Sequence, residues 1–468
     1  PLQAAFHLGV TISGTVIASR NPNAYAMSKF TRKDFEIQNL GYPSYPSPLH
    51  ALRDEANANF VSDDRHRILF NHSFERVAAA MEDEREPITI ERSGPREKIF
   101  FDPAKTKCAV VTCGGLCPGL NDVIRGLVMT LTYSYRVKTI YGIPYGYEGF
   151  VDRYGHPIIN LTPQFVSNIH TDGGTVLGTS RGPQAREEVV DKLVQLGVDI
   201  LFVIGGDGTL RGASGLVEEI SLRGLKISVV GIPKTIDNDL EYMDKSFGFE
   251  TAFAEAVRII RCAHSEARGH ANGVGLVKVM GRDSGFIAAY AALSENCVNY
   301  VLIPEVPTYL EGSNGLLAHL EKRLSGRGHA VVVVAEGAGQ NLMQIDPSAK
   351  DASGNTKFGD IGPFLKKQIE THFKTSGKAI TVKYIDPSYI IRSVPASPQD
   401  AIYCLRLAQH AVHAAMAGKT NMVVGRWHGH HVNLPISVVT VRRRKVGLQG
   451  DLWLSVLEAT GQPAQFAS

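Results

Sequence analysis

Short, mostly apolar runs that end at glycine or proline turns recur along the chain from about residue 107 onward. They are Ala109–Cys113, Ile200–Ile204, Ile227–Ile232, Gly275–Met280 and Ala330–Ala335. A strand buried on both faces reads as a continuous apolar run, whereas a strand with one solvated face alternates. Because segments with helical spacing separate the runs, the pattern predicts an α/β fold with parallel sheets covered by helices on both faces. Ligands of such sheets bind at the carboxyl ends of the strands, where the turns lie.

Composition limits the class of protein. The chain has 468 residues, of which 44% are hydrophobic, and this length predicts about three domains or two large ones. No apolar run is long enough to cross a membrane. Lys and Arg number 49 against 46 Asp and Glu, a net charge of +3, which gives no reason to expect nucleic acid as a partner. Six Cys are too few for a disulfide scaffold and indicate a reducing compartment.

Residues 1–100 lack the strand–turn–helix pattern and are interpreted as an N-terminal extension that packs on a core or mediates subunit contacts. The first 33 residues contain no Asp or Glu but do contain Arg20, Lys29, Arg32 and Lys33. Such a segment is typical of an organelle transit peptide, and a solvated basic tail is the alternative. Both interpretations stay open: a solvated tail agrees with the cytoplasmic location that we expect, and a transit peptide would make the plastid stroma the alternative. Another basic run, Arg442–Lys445, is interpreted as a solvated face.

The segment Gly205–Thr209 follows an apolar run and precedes a helical pattern. Glycines at this position let backbone N–H groups approach phosphate oxygens, and the start of a helix adds a positive dipole. Asp207 is placed to bind Mg²⁺, which prefers carboxylate and phosphate oxygens. The alternative is a structural turn in which Asp207 caps the helix.

The segment Pro233–Asp239 also follows an apolar run and is rich in polar side chains. Asp237 can accept a proton from a substrate hydroxyl, and Thr235 can hold a phosphate or a hydroxyl. Lys234 can neutralise a phosphate as a point charge. The alternative is a structural turn rich in Asp and Asn.

Further donors and one carboxylate occur in other loops. They are Arg181 between Gly178 and Pro183, Arg282 after Met280, Glu336 after a Val run, and Lys383, Tyr389 and Arg392 in one segment. Together with the two loops above, they form two phosphate-binding ends around one carboxylate base. This arrangement indicates a phosphoryl transferase.

Six segments, taken in order, resemble the 6-phosphofructokinase family. They lie at residues 113–122, 178–183, 205–209, 233–239, 280–285 and 383–392. The resemblance extends over about residues 100–463 and is greatest to the long-chain enzymes of plants, algae and trypanosomatids. It implies two doubly wound parallel-sheet domains and a homo-oligomer, either a dimer or a tetramer.

The resemblance also implies a division of the chain into domains. Residues 1–100 form the N-terminal extension. Residues 101–247 and about 393–425 form a nucleotide-binding domain. Residues 248–392 and about 426–463 form a sugar-phosphate-binding domain.

The resemblance further implies a role for each motif residue. Asp237 is the base for the 1-hydroxyl of fructose 6-phosphate, supported by Thr235, Asp239 and Arg282, and Asp207 holds Mg²⁺. ATP, the co-substrate, is bound by Gly115, Arg181, Gly182, Gly206, Asp207, Gly208, Thr209 and Lys234. Fructose 6-phosphate is bound by Thr235, Ile236, Asp237, Met280, Gly281, Arg282, Glu336, Tyr389 and Arg392, with Lys383 near its phosphate.

The identity of the phosphoryl donor depends on two positions. Gly208 resembles the ATP-using enzymes, because the pyrophosphate users carry a second Asp there. Lys234 resembles the pyrophosphate users, because short bacterial ATP enzymes carry Gly. We take Gly208 as decisive, since an Asp would repel the α-phosphate of a nucleotide. Position 273, where the short bacterial enzymes use an Arg of a neighbouring subunit, is Gly here, so that contact is made differently or is absent.

The expected activity is therefore that of an ATP-dependent 6-phosphofructokinase. A pyrophosphate-dependent enzyme and a catalytically weak regulatory subunit are the alternatives. A lipid or NAD kinase shares the glycine–aspartate loop but lacks the segment after residue 232. A dinucleotide-binding dehydrogenase is disfavoured because no G-x-G-x-x-G motif opens a βαβ unit.

Overall fold

The computed structural model describes residues 30–51, 60–83, 85–346, 348–349 and 356–467. The predictions made for residues 1–29 lie outside this part of the chain. The described strands, β1 to β17 in chain order, are Gln38–Asn39, Tyr45–Pro46, Arg67–Leu69, Thr89–Arg92, Lys98–Ile99, Lys107–Thr112, Thr139–Ile143, Ile159–Asn160, Ile200–Gly205, Ser228–Pro233, Gly273–Val279, Tyr300–Leu302, His329–Ala335, Thr381–Ile385, Lys419–Thr420, Met422–Trp427 and His430–Pro435.

The described α-helices, α1 to α12, are Phe74–Glu82, Leu120–Met129, Arg186–Leu196, Asp207–Leu222, Phe249–Arg268, Phe286–Leu293, Leu316–Arg327, Ile361–Thr375, Ser388–Arg392, Pro398–Met416, Ile436–Val439 and Asp451–Thr460. Short 3₁₀ turns lie at Arg32–Phe35, Gly146–Phe150, Asp152–Tyr154, Ile169–Thr171 and Gln340–Leu342, and a π turn at Thr130–Ser134 follows α2. Within the described ranges, no helix is both long enough and apolar enough to cross a bilayer.

The larger sheet has the strand order β3-β4-β17-β16-β10-β9-β6-β7-β8 in the described residues. Its centre is parallel, from β16 through β10, β9 and β6 to β7. Every residue of β9 and β10 is buried, as expected for strands covered by helices on both faces. Three of the five apolar runs, Ala109–Cys113, Ile200–Ile204 and Ile227–Ile232, therefore form the middle of this sheet.

The smaller sheet has the order β12-β13-β11-β14 and is parallel throughout its described strands. Helices α7 and α8 contribute Leu320, Leu365 and other apolar residues to the core on one face. Helix α5 contributes Ile260 and Ala263 to the core that continues into the larger sheet. The predicted fold class, α/β with two parallel-sheet domains, is confirmed.

The N-terminal extension contributes two strands, β3 and β4, to the larger sheet. An ionic cluster that is buried at Lys419 and Glu91 fixes it there: Lys419 Nζ lies 3.0 Å from Glu91 Oε1 and 3.0 Å from Oδ1 of the exposed Asp64. Arg96 Nη2 and Asn433 Nδ2 donate to the same Glu91 carboxylate at 2.8 and 2.7 Å. Residues 60–99 thus pack on the core of the larger-sheet domain.

The division into domains stays a prediction, and the structure differs from it in the position of one segment. Residues 430–435 form β17 in the larger sheet, although residues from about 426 were assigned to the other domain. Strands β16 and β17 form an antiparallel hairpin that pairs Trp427 with His430. The two turn residues, His428 and Gly429, have φ of +48° and +79°, as a tight hairpin turn requires. The hairpin therefore holds both strands in one sheet.

Both sheets reverse their strand order at a point where two carboxyl ends lie side by side. In the larger sheet, β7 and β9 pair on opposite sides of β6. In the smaller sheet, β11 lies between β13 and β14. Ligands of doubly wound sheets bind at such reversals, and the turns after β6, β9 and β11 follow strands at these points.

Candidate active site

The glycine–aspartate loop connects β9 to helix α4. Gly206 precedes the helix in an extended conformation, and Asp207 is its first residue. A Cβ added at Gly208 would have no neighbour within 4 Å in the described part of the chain. The carbonyl oxygen of Thr209 accepts a hydrogen bond from Tyr147 Oη at 3.0 Å. The loop thus presents a fixed helix N-terminus and open space, the arrangement that suits a phosphate group.

The loop after β6 lies against the segment that carries Arg181. Thr179 Oγ1 donates to the Gly114 carbonyl at 2.6 Å, and Gly114 N donates to the Ser180 carbonyl at 3.1 Å. A Cβ added at Gly115 would lie 3.7 Å from Arg181 Nη2. The structure therefore brings Gly115 and Arg181 together, and Cys113 N donates to the Ile204 carbonyl at 3.0 Å, which joins this loop to the strand that ends at the glycine–aspartate loop. Gly182, with φ +101°, completes this turn on the exposed side.

The buried side chain of Lys234 forms a hydrogen bond with the backbone of another loop. Its Nζ donates to the Gly115 carbonyl at 2.7 Å, and the residue is 7% exposed. Burial lowers the pKa of Lys234, since the charged form loses its water. The charge of Arg181 acts in the same direction. This lysine therefore links the loop after β10 to the loop after β6.

The loop after β10 holds Asp237 with one carboxylate oxygen unsatisfied. Asp237 Oδ1 is shielded from solvent and has no hydrogen-bond partner among the described residues. Burial, reinforced by the charges of Asp239 and Glu336, raises the pKa of Asp237 well above its usual value. A partly buried carboxylate with a raised pKa and a free oxygen is suited to take a proton from a hydroxyl.

Neighbouring residues fix the conformation of this loop. Thr235 Oγ1 donates to Asp239 Oδ1 at 2.5 Å. Asn238 has a left-handed backbone with φ +56°, which Asn tolerates better than most residues, and its Oδ1 accepts from Ser246 N at 2.9 Å. Ile236 is 6% exposed and packs in the core, so it can offer a substrate little more than its backbone. The loop is therefore held at both sides of Asp237.

The described residues include no group of three or more His, Cys, Asp or Glu that could hold a metal ion. Asp207 offers one carboxylate, with Oδ2 3.0 Å from Arg211 Nη2. Burial raises the pKa of Asp207. A cation bound nearby would act in the opposite direction and favour the charged form of this carboxylate. Mg²⁺ usually takes one or two carboxylates together with substrate phosphates and water. Asp207 fits Mg²⁺ as a single carboxylate ligand, with phosphate oxygens and water completing the donor set.

The smaller sheet contributes the loop after β11 and the end of β13. Gly281 has φ +129°, and an added Cβ would lie 2.5 Å from the Ser284 carbonyl oxygen. This close turn places Met280 and Arg282 at the carboxyl end of the strand. Glu336 N donates to the Val279 carbonyl at 2.9 Å, which fixes Glu336 next to them. Burial raises the pKa of Glu336.

The side chains of Arg282 and Arg392 each lie over an aromatic ring. Arg282 lies 4.4 Å from the centroid of Phe358 and donates to the Thr356 carbonyl. Arg392 lies 4.6 Å from the centroid of Tyr389, a ring that is 75% exposed. Arg282 lies next to the Glu336 segment, since Gly337 N donates to the Gly281 carbonyl at 3.1 Å. Tyr389 and Arg392 lie in α9, just past the carboxyl end of β14, which pairs with β11. Tyr389, Arg392 and Glu336 are thus brought to the same end of the smaller sheet.

Lys383 is not brought together with the other predicted residues. It pairs with Gly275 in β11, five residues before Met280 and away from the carboxyl end. Its Nζ lies 3.4 Å from Glu266 Oε2 on α5. The role of Lys383 near a substrate phosphate stays a prediction.

The sequence did not indicate a role for Arg443. The interpretation of Arg442–Lys445 as a solvated face is wrong for Arg443, whose Nη1 lies 3.0 Å from Asp239 Oδ2 and 2.9 Å from Asp283 Oδ2. It is also wrong for Arg444, whose guanidinium lies 4.9 Å from the Phe286 ring centroid. No local pattern signals this, because the partners are more than 150 residues away in the chain.

The chain matches the phosphofructokinase family over residues 107–415. It is 50% identical to an ATP-dependent 6-phosphofructokinase of Amycolatopsis methanolica, over 93% of this chain and 96% of that protein. It is 42% identical to the ATP-dependent 6-phosphofructokinase of Trypanosoma cruzi, over 94% of this chain and 90% of that protein.

Among solved structures, the fold matches phosphofructokinase of Pichia pastoris in the T-state with a TM-score of 0.59 and 22% identity. That match covers 76% of this chain but 37% of the yeast chain, and it concerns the fold alone. The family resemblance seen in the sequence is confirmed by the matches with whole relatives. The chain belongs to the phosphofructokinase family.

Proposed function

We propose that this chain is an ATP-dependent 6-phosphofructokinase, which transfers the γ-phosphate of ATP to the 1-hydroxyl of fructose 6-phosphate. The observation that carries the proposal is the position of Asp237. Its unsatisfied carboxylate oxygen lies in a loop between the phosphate-type turn of the larger sheet and the Met280–Arg282 turn of the smaller sheet. The relatives' shared activity supports the same reaction.

The larger sheet provides the nucleotide end. Backbone N–H groups at the start of α4 and the guanidinium of Arg181 would bind the phosphates. Asp207 would hold Mg²⁺, and when bound this ion would neutralise charge on the transferring phosphate. Open space at Gly208 leaves room for the nucleotide's α-phosphate.

The smaller sheet provides the sugar end. Glu336, at the end of β13, would accept hydrogen bonds from sugar hydroxyls. Arg392 has a buried Nε without a partner in the described residues, and it would pair with the substrate's phosphate. Arg282 and Met280 would lie between the two ends. The predicted role of Lys383 near the sugar phosphate would require its side chain to move away from Glu266.

The chemistry requires one proton acceptor and accurate alignment. Asp237 takes the proton of the sugar 1-hydroxyl as that oxygen bonds to the γ-phosphorus. The bond between the γ-phosphorus and the β–γ bridging oxygen breaks, and ADP leaves with the electron pair. Most of the rate acceleration comes from holding the two oxygens in line and from neutralising charge.

Pyrophosphate is the alternative donor, and Lys234 is the residue that motivates it. In this structure the Lys234 ammonium already donates to the Gly115 carbonyl, so its presence does not require a smaller donor. The regulatory-subunit alternative is disfavoured because both Asp207 and Asp237 are present.

A donor assay tests the proposal. Purified protein is given fructose 6-phosphate and Mg²⁺ with ATP or with pyrophosphate, and fructose 1,6-bisphosphate is measured. We expect turnover with ATP and little with pyrophosphate. Turnover with pyrophosphate alone would make the donor assignment wrong, and no product with either donor would contradict the enzyme assignment.

Two further properties are proposals. We expect a homo-oligomer, tested by light scattering on a sizing column, where a monomer at micromolar concentration would contradict it. We expect a cytoplasmic location, with the plastid stroma as the alternative, tested by imaging the tagged full-length protein. No partner among nucleic acids or membranes is proposed.

A further inference from the structure

A segment near the C-terminus, residues 440–446, crosses the carboxyl ends of both sheets, and we name it the C-terminal strap. The Thr440 carbonyl accepts a hydrogen bond from Arg211 Nη2 at 2.8 Å. Arg211 also pairs with Asp207 at 3.0 Å. The first residue of the strap is therefore tied to the turn after β9.

The other end of the strap is tied to the smaller sheet. Val446 N donates to Glu305 Oε1 at 2.8 Å, and the same oxygen accepts from Gly285 N at 3.1 Å. Gly285 lies in the turn between β11 and α6. The strap thus extends from the nucleotide side of the candidate site to the sugar side.

The middle of the strap contacts the loop that carries Asp237. Leu240 and Arg443 form an isolated antiparallel bridge. Arg444 N donates to the Asp239 carbonyl at 2.7 Å. The strap therefore runs beside this loop as a short added strand.

One side chain of the strap joins loops from the two sheets. Arg443 Nη1 lies 3.0 Å from Asp239 Oδ2, in the loop after β10, and 2.9 Å from Asp283 Oδ2, in the loop after β11. The second carboxylate oxygen of Asp239 accepts from Thr235 at 2.5 Å. The loops also touch directly, since Ser284 Oγ donates to the Asp237 carbonyl at 3.2 Å.

We propose that Arg443 is a positioning residue for phosphoryl transfer, which fixes the loop that carries Asp237 against the Met280–Arg282 turn. The inference rests on the proposed function. Arg443 acts through Asp239 and Asp283 rather than by contact with the substrate. Burial lowers the pKa of Arg443, but the charges of Asp239, Asp283, Asp207 and Asp237 outweigh it and raise this pKa above its usual value. The cation of Arg443 therefore offsets repulsion among these carboxylates.

The link through Arg443 would keep the reacting groups accurately positioned. A shift of about 1 Å at reacting atoms can lower a rate by about 10²-fold. The nucleotide loop and the base loop belong to the larger sheet, whereas Met280–Arg282 belongs to the smaller sheet. A contact that spans the two sheets at the site is therefore expected to affect the chemical step more than the binding of either substrate.

Neighbouring Arg442 provides a matched control. Its Nε pairs with Glu241 at 2.8 Å, and its side chain is 42% exposed. Arg442→Met removes an ion pair of the same kind from the adjacent residue of the strap without touching Asp239 or Asp283. An effect seen in Arg443→Met but not in Arg442→Met is therefore caused by the loss of the ion pairs of Arg443 with Asp239 and Asp283, and not by a general disturbance of the strap.

The test compares Arg443→Met, Arg443→Lys and Arg442→Met in the full chain, with ATP and fructose 6-phosphate. We expect Arg443→Met to lower kcat about 10- to 100-fold and to change both KM values less than about threefold, since the lost contact aligns rather than binds. Arg443→Lys keeps the charge and should recover part of kcat. Arg442→Met should behave as the wild type.

The folded fraction of each variant is measured by circular dichroism at the assay temperature. If kcat of Arg443→Met is that of the wild type, or falls only as much as the folded fraction, the inference is wrong. A large rise of either KM with kcat unchanged would also overturn it. A wild type without turnover would overturn the proposed function together with the inference, whereas an active wild type separates the two.

Asp283→Asn keeps the test decisive if Arg443→Met does not fold. This variant breaks the bridge on the smaller-sheet side and leaves Arg443 paired with Asp239. We expect a lower kcat with nearly unchanged KM values. Where both single variants fold, the double variant should lower kcat by less than the product of the two single fold-changes, because both substitutions disrupt the same link through Arg443. Wild-type kcat in a folded Asp283→Asn enzyme would contradict the proposal.

Discussion

The Nζ of Lys234, just after β10, lies 2.7 Å from the carbonyl oxygen of Gly115, in the loop after β6. Strands β6 and β10 are the two neighbours of β9. The lysine therefore spans the end of β9, beneath the turn that would hold the nucleotide phosphates. The ammonium group binds a backbone carbonyl and does not face open solvent. We infer that Lys234 stabilises the conformation of the loop after β6.

Replacing Lys234 by Met should loosen this loop. We expect kcat/KM for ATP to fall about 10- to 100-fold, from the loss of a charged hydrogen bond of about 1.5–3 kcal/mol. The free energy of unfolding should change little, because removing a buried charge offsets the lost bond. Steady-state kinetics and urea unfolding measure the two effects. Lys105→Met, which removes an exposed lysine, is the control, and an unchanged kcat/KM in Lys234→Met would contradict the assignment.

An Asp at position 208 should exclude ATP without disturbing the fold. The added side chain meets open space, and an acidic residue is favourable in the first turn of a helix. A carboxylate about 4 Å from a phosphate is repelled by about 4 kcal/mol at an effective dielectric of 20. We therefore expect Gly208→Asp to lower kcat/KM for ATP by at least ~10²-fold with an unchanged melting temperature.

Gly208→Ala separates charge from size in the same experiment. Ala fits the space and should retain most of the ATP activity. Equal losses in the Ala and Asp variants would show that size rather than charge excludes the nucleotide. Pyrophosphate is assayed in parallel, because its use by Gly208→Asp would identify this position as the donor selector.

Asp237→Asn should inactivate the enzyme and stabilise the fold. Loss of the base is expected to lower kcat by at least ~10²-fold. Since folding raises the pKa of Asp237, the stability that the protonated form gives is fully present below the unfolded pKa and is lost as pH rises through the folded pKa. The variant should therefore melt above the wild type at pH 8 and nearly with it at pH 4.

Kinetics and thermal unfolding at the two pH values check both halves of this expectation. Asp191→Asn removes a carboxylate from the surface pair with Arg223 and serves as the control. Near-normal turnover in Asp237→Asn would contradict the role of Asp237 as the base. A variant that melts below the wild type at pH 8 would show that the carboxylate is satisfied after all.

Lys419→Met should destabilise the protein without changing its kinetics. Lys419 is 2% exposed and pairs with Glu91 and Asp64. Removing one member of a buried ionic cluster typically costs about 3–5 kcal/mol. We expect a loss of this order in urea unfolding, with KM values unchanged, because the cluster lies in the attachment of the N-terminal extension. Lys98→Met, on an exposed position, should have little effect, and a Lys419→Met enzyme as stable as the wild type would contradict the anchoring role.

The sequence predicted most of the candidate site because its residues lie in short segments directly after strands. Gly206, Asp207 and Gly208 follow one strand, and the loop with Asp237 follows the next. Parallel packing brings such ends together, so a local pattern was sufficient to place them. Lys383 shows the limit of this reasoning: it shares a motif with Tyr389 and Arg392, but it lies in the middle of a strand, away from the carboxyl end.

By itself, the sequence determined the α/β class, the parallel strands and the turns at their carboxyl ends, because burial on both faces requires continuous apolar runs and phosphate-type turns require glycine. Only the tertiary structure decided that Lys234 donates to the backbone of Gly115 and that Arg443 lies between Asp239 and Asp283. An Arg or Lys in a sequence carries no mark of its partner. The partner is selected by packing between segments distant in the chain, where desolvation makes a nearby carboxylate or carbonyl necessary.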